Sequence, residues 1–555
     1  MAIPPETHRE SFGLHISGGG GQIARVADTV TSAPDNFPNP AEDQPLTRAV
    51  ILAVAATSLV VAAFAVTAQS YWIDEAMSLI VAMAPSPGEA WRYAQAVGAP
   101  AQHAPLYHVY LYAWHKVAGP GEWAMRASNI PWFVLAQLAF LLLLRHRPKL
   151  ALTACLLAAV NPAIWMYLDE ARPYIMQYAA ACWLVASVAR RAFAPSAGTA
   201  GEDRLAFLAA GGATIVLCGS GLPSVVWAAG LVSALFLLRR TAPVTPGEAA
   251  ACARPRYAIA GFAVLLALLA ASHFYAWPGF SPGSSDLKQF VKGLIYVAYE
   301  FLGFSGFGPG KLELRLSPLG SIIRRLPVLL PLAACLGVLG IFAVRQAGTL
   351  LQHRRAIAAW MIALALPGVF LLGADLILEQ RPVPRDFVPA LPAIILSLAA
   401  VILAALAQKS IFLRGAAAAV PILWLASGLN LRWQQAHAKD DYRAAAAVAA
   451  AALRDNKEVW WAADAATAFI YLTPISMEQV PGRVWAMQGP DWSDLRLKLP
   501  PRVIVISKPD IYDARGAVSR YAMENHFVPA LQLQAITILT RESDRLPAAA
   551  PRPLR

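Results

Sequence analysis

The chain has 555 residues and a formal net charge of +12, and 57% of its residues are apolar or aromatic while only 14% are charged. Soluble globular domains carry about 25% charged residues, so this composition excludes a soluble enzyme, a disordered protein and a disulfide-stapled secreted module. It also argues against a membrane β-barrel, whose strands alternate apolar and polar residues over about 10 positions. Membrane proteins accumulate Lys and Arg on their cytoplasmic loops, which explains the positive charge without nucleic-acid binding.

Eleven apolar stretches predict an α-helical polytopic membrane protein with about eleven transmembrane helices, because a helix of about 20 apolar residues crosses a bilayer. They lie within residues 47–430, after a polar, Gly- and Pro-rich tail at 1–46 that we expect to be disordered and cytoplasmic. The predicted spans are, in chain order, 48–68, 126–145, 150–167, 173–190, 205–219, 222–239, 257–277, 321–344, 356–374, 387–407 and 412–430.

The basic residues predict the orientation of this module. On one side, the short loops between spans are rich in Lys and Arg, as is typical of the cytoplasmic loops of a multi-pass inner-membrane protein. Arg324 and Arg325, at the outer end of a span, depart from this rule. The predicted outer loops are 69–125, 167–173, 278–320 and 375–386.

An odd number of spans places residues 431–545 on the outer side, where alternating patterns predict a small α/β domain. The Ala- and Pro-rich composition with few Lys is associated with a bacterial source, so we expect this domain to be periplasmic. We expect residues 546–555 to be disordered. The predicted helices are 442–456 and 511–525, and the predicted strands are 458–464, 503–507 and 534–541.

Acidic residues are concentrated in the first two outer loops. Asp74 and Glu75 directly follow the first span, and Asp169, Glu170 and Arg172 share the short second loop. As solvated helix caps or a local ion pair, these groups would have only a structural role. If they face one cavity instead, Asp74 can act as a general base that takes a proton from an acceptor.

Basic residues in the later outer loops are candidates for binding the phosphate of a lipid or substrate, because Lys and especially Arg suit phosphate oxygens. Anchoring to lipid headgroups and snorkelling are the structural alternatives. A Gly- and Phe-rich turn in the same region, residues 301–310, is a candidate for a mobile flap. The basic candidates are Lys288, Lys292, Lys311, Arg315, Arg381 and Arg385.

Taken in order, several motifs between residues 70 and 541 resemble the GT-C glycosyltransferases, in particular the protein O-mannosyltransferases and lipid A aminoarabinose transferases. The family's usual double Pro is Ala104-Pro105 here. Residues 384–392 are similar to an Arg-aromatic-Leu-Pro element, and 439–448 to the opening of the outer domain. The remaining motifs are Asp74-Glu75, His103-Ala104-Pro105-Leu106-Tyr107, Gly121-Glu122 to Arg126, and Glu170-Ala171-Arg172-Pro173-Tyr174.

The resemblance implies that a sugar passes, with inversion, from a polyprenyl-phosphate donor to an envelope glycan, lipid or protein acceptor. Asp74 would be the general base and Glu75 would orient its loop, while Asp169 or Glu170 would position the acceptor. Arg172 and Arg385 would stabilise the phosphate leaving group. A divalent metal is possible, with Asp74 and Asp169 as its ligands, and no other cofactor is expected. The other expected substrate-binding residues are His103, Tyr107, Arg126, Tyr174, Lys288, Lys292 and Arg381.

Other functions remain open at this level. A polysaccharide polymerase or ligase that uses a lipid-linked glycan would meet the same lipid phosphate. A flippase or transporter of lipid-linked sugars would need charges near the bilayer midplane, whereas the charges of this chain collect in outer loops and at span ends. A non-catalytic scaffold would leave the clustered carboxylates and arginines without a role.

Overall fold

The computed structural model describes residues 44–97, 103–193, 200–239, 285–310, 313–314, 317–350, 354–487, 495 and 498–541. The predicted span 257–277, the C-terminal tail 546–555 and nearly all of the N-terminal tail lie outside the described residues. The candidate phosphate ligands Lys311 and Arg315 also lie outside them.

The described residues form mostly α-helices, followed by a small sheet. The helices are α1 (Arg48–Ala65), α2 (Ile73–Ala82), α3 (Pro87–Val97), α4 (Pro105–Ala118), α5 (Glu122–Arg126), α6 (Asn129–Leu143), α7 (Pro148–Val160), α8 (Pro162–Leu168), α9 (Tyr174–Phe193), α10 (Ala200–Gly219), α11 (Leu222–Arg239), α12 (Leu287–Phe301), α13 (Pro318–Leu350), α14 (Arg354–Ile377), α15 (Leu391–Leu406), α16 (Ile411–Trp433), α17 (Tyr442–Arg454), α18 (Ala465–Ile470), α19 (Pro509–Tyr512) and α20 (Ala517–Glu524). The strands are β1 (Val459–Ala462), β2 (Ile475–Ser476), β3 (Val484–Ala486), β4 (Val503–Ser507), β5 (Phe527–Gln532) and β6 (Ile536–Arg541), and 3₁₀ helices cover Pro384–Ala390 and Gln435–His437.

Within the described residues, six helical stretches are long and apolar enough to cross a membrane, as expected of a multi-pass membrane protein. The pair α7 and α8 would make a seventh span, and α10 and α11 contain shorter apolar helices. Each predicted span within the described residues coincides with a helix or with this pair. The total of eleven spans stays a prediction. The six stretches are Arg48–Ala65, Glu122–Leu143, Gly320–Gln346, Ala356–Ile377, Pro384–Leu406 and Ile411–Trp433.

The predicted span 150–167 is bent by 61° between α7 and α8. Pro162 at the start of α8 cannot donate a backbone hydrogen bond, which favours a break at this position. The side chain of Asn161 accepts hydrogen bonds from the backbone N–H groups of Ala163 and Ile164, at 2.9 and 3.2 Å. Asn161 therefore caps a new helix, and α8 leads directly into the acidic second outer loop.

Helix α9 lies at the centre of the helical bundle. It packs against α6, α10 and α11, and most of its residues between Tyr174 and Ala189 are buried. Small residues such as Ala181 and Ala186, both with no exposed surface, allow neighbouring helices to approach closely. The loop that precedes α9 is thereby fixed to the most buried helix of the bundle.

The Gly- and Phe-rich turn at residues 301–310 is packed against α16, which argues against the predicted mobile flap. The backbone N–H of Gly306 donates to Ser427 Oγ at 3.0 Å, and Ser427 Oγ donates to the carbonyl of Gly303 at 2.8 Å. A Cβ atom at Gly306 would lie 1.8 Å from the carbonyl oxygen of Ser427. Glycine is required here so that two backbones can approach closely.

The long helix α13 begins beside the predicted outer loop 278–320, and Arg325 lies near its start. Arg325 Nη2 lies 3.8 Å from Glu313 Oε2 in a half-exposed ion pair. The acid offsets the charge of a basic residue that the positive-inside pattern would place on the other side.

The C-terminal domain contains a six-stranded mixed sheet with the order β2-β3-β1-β4-β6-β5. The strands β2, β3, β1 and β4 are parallel, while β6 pairs antiparallel with both β4 and β5. Trp461 and Val505 on neighbouring strands belong to one packed face, together with Tyr442 and Ala445 of α17. This small apolar core holds α17 against the sheet.

The predicted strands 458–464, 503–507 and 534–541 coincide with β1, β4 and β6. The sequence reading missed β2, β3 and β5, because β2 and β3 have two and three residues and β5 contains Pro529. The predicted helix 511–525 is interrupted before α20, where Gly516 adopts a left-handed conformation with φ of 67°.

Candidate active site

Glu75 is the most enclosed of the predicted site carboxylates and has no exposed side-chain surface. Its oxygens accept hydrogen bonds from Arg126 Nε and Nη2 at 2.8 and 2.7 Å, and from the backbone N–H of Ala171 at 2.9 Å. Burial raises the pKa of Glu75, but Arg126, Lys439 and these hydrogen bonds together lower it to about 2. Glu75 is therefore an anion that ties the loop after α1 to the loop before α9.

Arg126 is fully buried, and protein groups occupy all of its N–H donors. Besides Glu75, Nη1 donates to the carbonyl oxygens of Thr67 and Gln69 at 3.1 and 2.6 Å, and Nη2 donates to that of Ser70 at 3.1 Å. No donor is left for a phosphate, because a guanidinium has five N–H groups. In this structure Arg126 fixes the backbone of the first outer loop, and its expected role in substrate binding stays a prediction.

Asp74 lies beside Glu75 in the first turn of α2, but its side chain points to a more open region. Its Oδ2 forms an ion pair with Arg385 Nη1 at 3.1 Å, and the two side chains are 31% and 47% exposed. Arg385 belongs to the 3₁₀ helix that precedes α15. The structure thus brings together the predicted base and a predicted phosphate ligand from distant parts of the chain.

A second guanidinium, that of Arg172, reaches the same turn. Arg172 is buried, and its Nη1 donates to the backbone carbonyl oxygen of Asp74 at 2.8 Å. Its Nε and Nη2 donate to the hydroxyl of Tyr174 at 3.3 and 3.2 Å. Among the described residues no carboxylate lies within ion-pair distance of Arg172. Burial lowers the pKa of Arg172, but Tyr174, Asp74 and Glu170 together raise it above its usual value, so Arg172 is a stable cation beside Asp74.

The two acids of the second outer loop, Asp169 and Glu170, have different environments. The carboxylate of Asp169 accepts hydrogen bonds from the backbone N–H and the hydroxyl of Thr67 at 2.6 and 3.1 Å. It also forms an ion pair with Lys439 at 3.6 Å. Glu170 is buried, and its carbonyl oxygen accepts a hydrogen bond from Asn129 at 2.6 Å. These contacts fix the loop against α1 and α6, and the catalytic roles of both acids stay predictions.

The motif at 103–107 leads into α4 and packs beneath the same loops. Tyr107 is buried in one apolar cluster with Ala171, and its hydroxyl has no hydrogen-bond partner among the described residues. His108 is also buried, and its Nδ1 lies 2.9 Å from the carbonyl oxygen of Ala104. Burial is the main cause that lowers the pKa of His108 to about 4; Arg172 acts in the same direction, and the hydrogen bond to Ala104 opposes the shift. His103 is half-buried in the preceding turn.

The predicted lysine pair does not join the carboxylates. Lys288 and Lys292 are exposed on α12 and have no ion pair with any described residue. The same helix packs closely against the segment of Arg381, because a Cβ atom at Gly293 would lie 2.6 Å from the carbonyl oxygen of Pro382. Arg381, which precedes Pro382, is exposed.

A cavity of about 420 Å³ lies between the outer loops, the end of α16 and the C-terminal domain. This volume is within the range of about 300–1,000 Å³ that is usual for ligand pockets. Aromatic and charged side chains contribute to its wall, and neither Asp74 nor Arg385 lines it. The lining includes Trp72, Trp165, Asp169, Glu170, Tyr296, Tyr299, Arg381, Arg432, His437, Lys439, Asp440 and Lys508.

A metal centre has no structural support in the described part of the chain. No group of three or more His, Cys, Asp or Glu side chains there is arranged to hold an ion. The two candidate ligands are already engaged, Asp74 with Arg385 and Asp169 with Thr67 and Lys439. The residues therefore do not fit a pre-formed divalent site.

Three residues at the junction with the C-terminal domain were not singled out from the sequence. Lys439 Nζ lies 3.2 Å from Glu75 Oε2. Arg443 Nη1 lies 3.0 Å from Glu122 Oε1, and the hydroxyl of Tyr471 donates to the same oxygen at 3.1 Å. Lys439 and Arg443 belong to the 439–448 motif, which could have pointed to them. Nothing in the motif indicated that Lys439 contacts Glu75.

The chain matches no protein-family profile and no curated protein. Its structure is similar to the crystal structure of ArnT from Cupriavidus metallidurans bound to undecaprenyl phosphate, with a TM-score of 0.50 and 12% sequence identity. The alignment covers 90% of this chain and all of that one. The apo form of the same protein aligns with a TM-score of 0.44 and 14% identity, over 88% of this chain and 97% of that one. The GT-C fold predicted from the motifs is therefore confirmed at the level of the fold.

Proposed function

We propose that this chain is a membrane glycosyltransferase that transfers a sugar from a polyprenyl-phosphate donor to an envelope acceptor, a glycan, a lipid or a protein, on the outer face of the cytoplasmic membrane. The observation that carries the proposal is the ion pair between the half-exposed carboxylate of Asp74 and Arg385, beside Arg172, which donates to the backbone carbonyl oxygen of Asp74. Sugar transfer from a lipid phosphate needs a base for the acceptor and cations for the leaving group.

In the proposed reaction, Asp74 takes the proton from an acceptor hydroxyl as that oxygen attacks the anomeric carbon of the donor sugar. The bond between the sugar and the phosphate oxygen breaks, and the lipid phosphate leaves with the bonding electrons. Arg385 and Arg172 stabilise the charge that develops on this phosphate. Because attack and departure occur on opposite sides, the anomeric configuration inverts.

The lipid-linked donor is supported by the similarity to ArnT, which binds undecaprenyl phosphate. It is also supported by the position of the charged cluster, which joins α2 to the 3₁₀ helix at the start of an apolar span. A transporter would need its charges near the bilayer midplane instead. We place the cluster and the domain at 431–545 on the periplasmic side, and the aromatic and charged cavity beside Trp72 is the candidate site for the acceptor head group.

The proposal is tested by mass spectrometry of envelope glycans in four strains. The gene is deleted in one strain, and the others carry wild-type, Asp74→Asn or Glu89→Gln copies. Glu89 is a matched control, because it also pairs with an arginine, Arg92 at 3.4 Å, and its side chain is 33% exposed. We expect one sugar to disappear on deletion, to return with the wild-type and Glu89→Gln copies, and to fall by about 100-fold or more with Asp74→Asn.

Full restoration by Asp74→Asn, present in the membrane at wild-type level, would remove Asp74 from the base role. If the sugar disappears on deletion and its lipid-linked form accumulates on the cytoplasmic side, the result favours a flippase. If the length distribution of a polymer changes instead of a single sugar, the chain is a polymerase or ligase.

A further inference from the structure

The segment between α16 and α17 carries a lysine into the middle of the outer-loop carboxylates. Lys439 Nζ lies 3.2 Å from Glu75 Oε2 and 3.6 Å from Asp169 Oδ2. It also donates a hydrogen bond to the backbone carbonyl oxygen of Asp169. Its side chain is only 14% exposed, so most of its charge is shielded from water and faces these three oxygens.

The backbone of Lys439 adds a second contact with the same loop. Its N–H donates to Gln69 Oε1 at 2.7 Å. Four residues later, the backbone N–H of Arg443 donates to Ser70 Oγ at 3.0 Å. The backbone N–H of Tyr71 in turn donates to the hydroxyl of Tyr471 at 2.8 Å. Residues near both ends of the segment from Gln69 to Glu75 are thus held by residues 439–471.

Asp74 lies at the end of that segment, and its position depends on its neighbours. It precedes Glu75, whose carboxylate is clamped between Arg126 and Lys439. The ion pair with Arg126 comes from the membrane module alone, whereas Lys439 is the cation that connects Glu75 and Asp169, one from each acidic loop. A charged group that bridges two loops fixes their relative position more strongly than two separate pairs.

We propose that Lys439 is a positioning residue for sugar transfer, which holds Asp74 at the reacting centre through Glu75 and the Gln69–Glu75 backbone. This inference rests on the proposed function. It makes the junction with the C-terminal domain part of the active site, in addition to any role of that domain in holding the acceptor. Lys439 also lines the 420 Å³ cavity, so the same residue joins the base to the candidate acceptor site.

The test compares Lys439→Met, Lys439→Arg and the control Lys457→Met in membranes of the deletion strain. Lys457 is a suitable control, since it lies in the same domain and pairs with Asp455 at 3.4 Å but contacts no outer loop. We expect Lys439→Met to lower kcat for sugar transfer by about 10- to 100-fold while the donor KM stays within about twofold, because small displacements of a reacting group have effects of this size. Lys439→Arg should recover most of kcat, and Lys457→Met should resemble the wild type.

Hydrogen–deuterium exchange of the purified full-length variants supplies a readout that needs no substrate. We expect the amides of residues 69–75 to exchange about tenfold faster in Lys439→Met, with no change in α9. Wild-type kcat in Lys439→Met, or a lowered kcat with unchanged exchange at 69–75, would overturn the proposal. If Lys439→Met does not accumulate, Lys439→Gln is judged by the same two criteria.

The two proposals fail differently. If the wild-type protein transfers no sugar but exchange at 69–75 responds to Lys439→Met, the proposed function is wrong and only the geometric role of Lys439 stands. If the wild type transfers a sugar and Lys439→Met does so equally fast, the function stands and the positioning role is wrong.

Discussion

Asp74 and Arg385 are 311 positions apart in the sequence, yet Arg385 Nη1 donates to Asp74 Oδ2 at 3.1 Å. The contact joins the first turn of α2, which follows the apolar helix α1, to the 3₁₀ helix that precedes the apolar helix α15. The ion pair uses one N–H group of Arg385, and a guanidinium has five, so Arg385 keeps donors for a phosphate while it contacts Asp74.

Donor binding should depend on Arg385 and not on the charge of Asp74. We expect Arg385→Ala to weaken binding of undecaprenyl phosphate to the purified protein by about tenfold or more, because a charge-assisted contact is lost. Asp74→Asn should bind the same probe as tightly as the wild type or more tightly, since it removes an anion beside Arg385. Arg92→Ala is the control for loss of a half-paired surface arginine. Unchanged binding by Arg385→Ala would reduce this residue to a surface anchor.

The pair of Glu75 and Arg126 should be essential for folding. Both side chains have no exposed surface and lie 2.7 Å apart. Glu75→Gln leaves a buried guanidinium without its anion, and Arg126→Met leaves a buried carboxylate with only Lys439. We expect each to destabilise the protein by about 3–5 kcal/mol, as is usual when one partner of a buried pair is removed. Thermal unfolding in detergent measures the effect, with Glu89→Gln as the exposed-pair control, and a melting temperature within experimental error of the wild type would contradict it.

His108 should make the folded protein less stable in mild acid. Its pKa is lowered from 6.5 to about 4, mainly by burial. As the pH falls from 6.5 to 4, the unfolded chain binds a proton at this position and the folded chain does not. Stability is therefore complete above pH 6.5 and decreases through this window, by an amount on the order of 3 kcal/mol. Melting temperatures at pH 7 and pH 4.5 should differ less in His108→Phe than in the wild type, and an equal difference would exclude His108 as the cause.

The turn at residues 301–310 should not tolerate a side chain at Gly308. A Cβ atom there would lie 1.4 Å from the hydroxyl of Tyr299, whereas one at Gly337 in α13 would meet nothing within 4 Å. We expect Gly308→Ala to destabilise the protein by about 1–3 kcal/mol through overpacking and Gly337→Ala to be neutral or slightly stabilising. The comparison of their melting temperatures checks this, and equal values would mean that the turn adapts as a flap would.

The helical module could be read from the sequence because its signal is local. A run of apolar residues such as 387–407 must lie in lipid or in a core, whatever it packs against. Strand β4 has a similar local signal, because its apolar sequence VIVIS predicts a buried strand and all five residues are buried. A short strand such as β3 has no such signal, because three residues are too few for a periodic pattern, and only its pairing with β1 and β2 defines it.

The sequence predicted which residues belong to the candidate site, but not which groups each of them contacts. Asp74 and Arg385 carry the expected residue types, and the structure brings them together. Arg126 has the same residue type as Arg385, yet it is saturated by backbone carbonyls and Glu75. Residue type is a property of one position, whereas the availability of a donor depends on everything packed around it.

The sequence by itself predicted a helical membrane protein with a small α/β region after it, and it showed that acids and arginines collect in the loops predicted to lie on the outer side. These conclusions depend on composition and on short-range periodicity. Only the tertiary structure decided which arginine faces Asp74, which one is locked inside, and that Lys439 reaches Glu75 from 364 positions away. The physical reason is that ion pairs and hydrogen bonds act over about 3–4 Å in space, and the chain path that brings such groups together is set by the packing of the whole bundle.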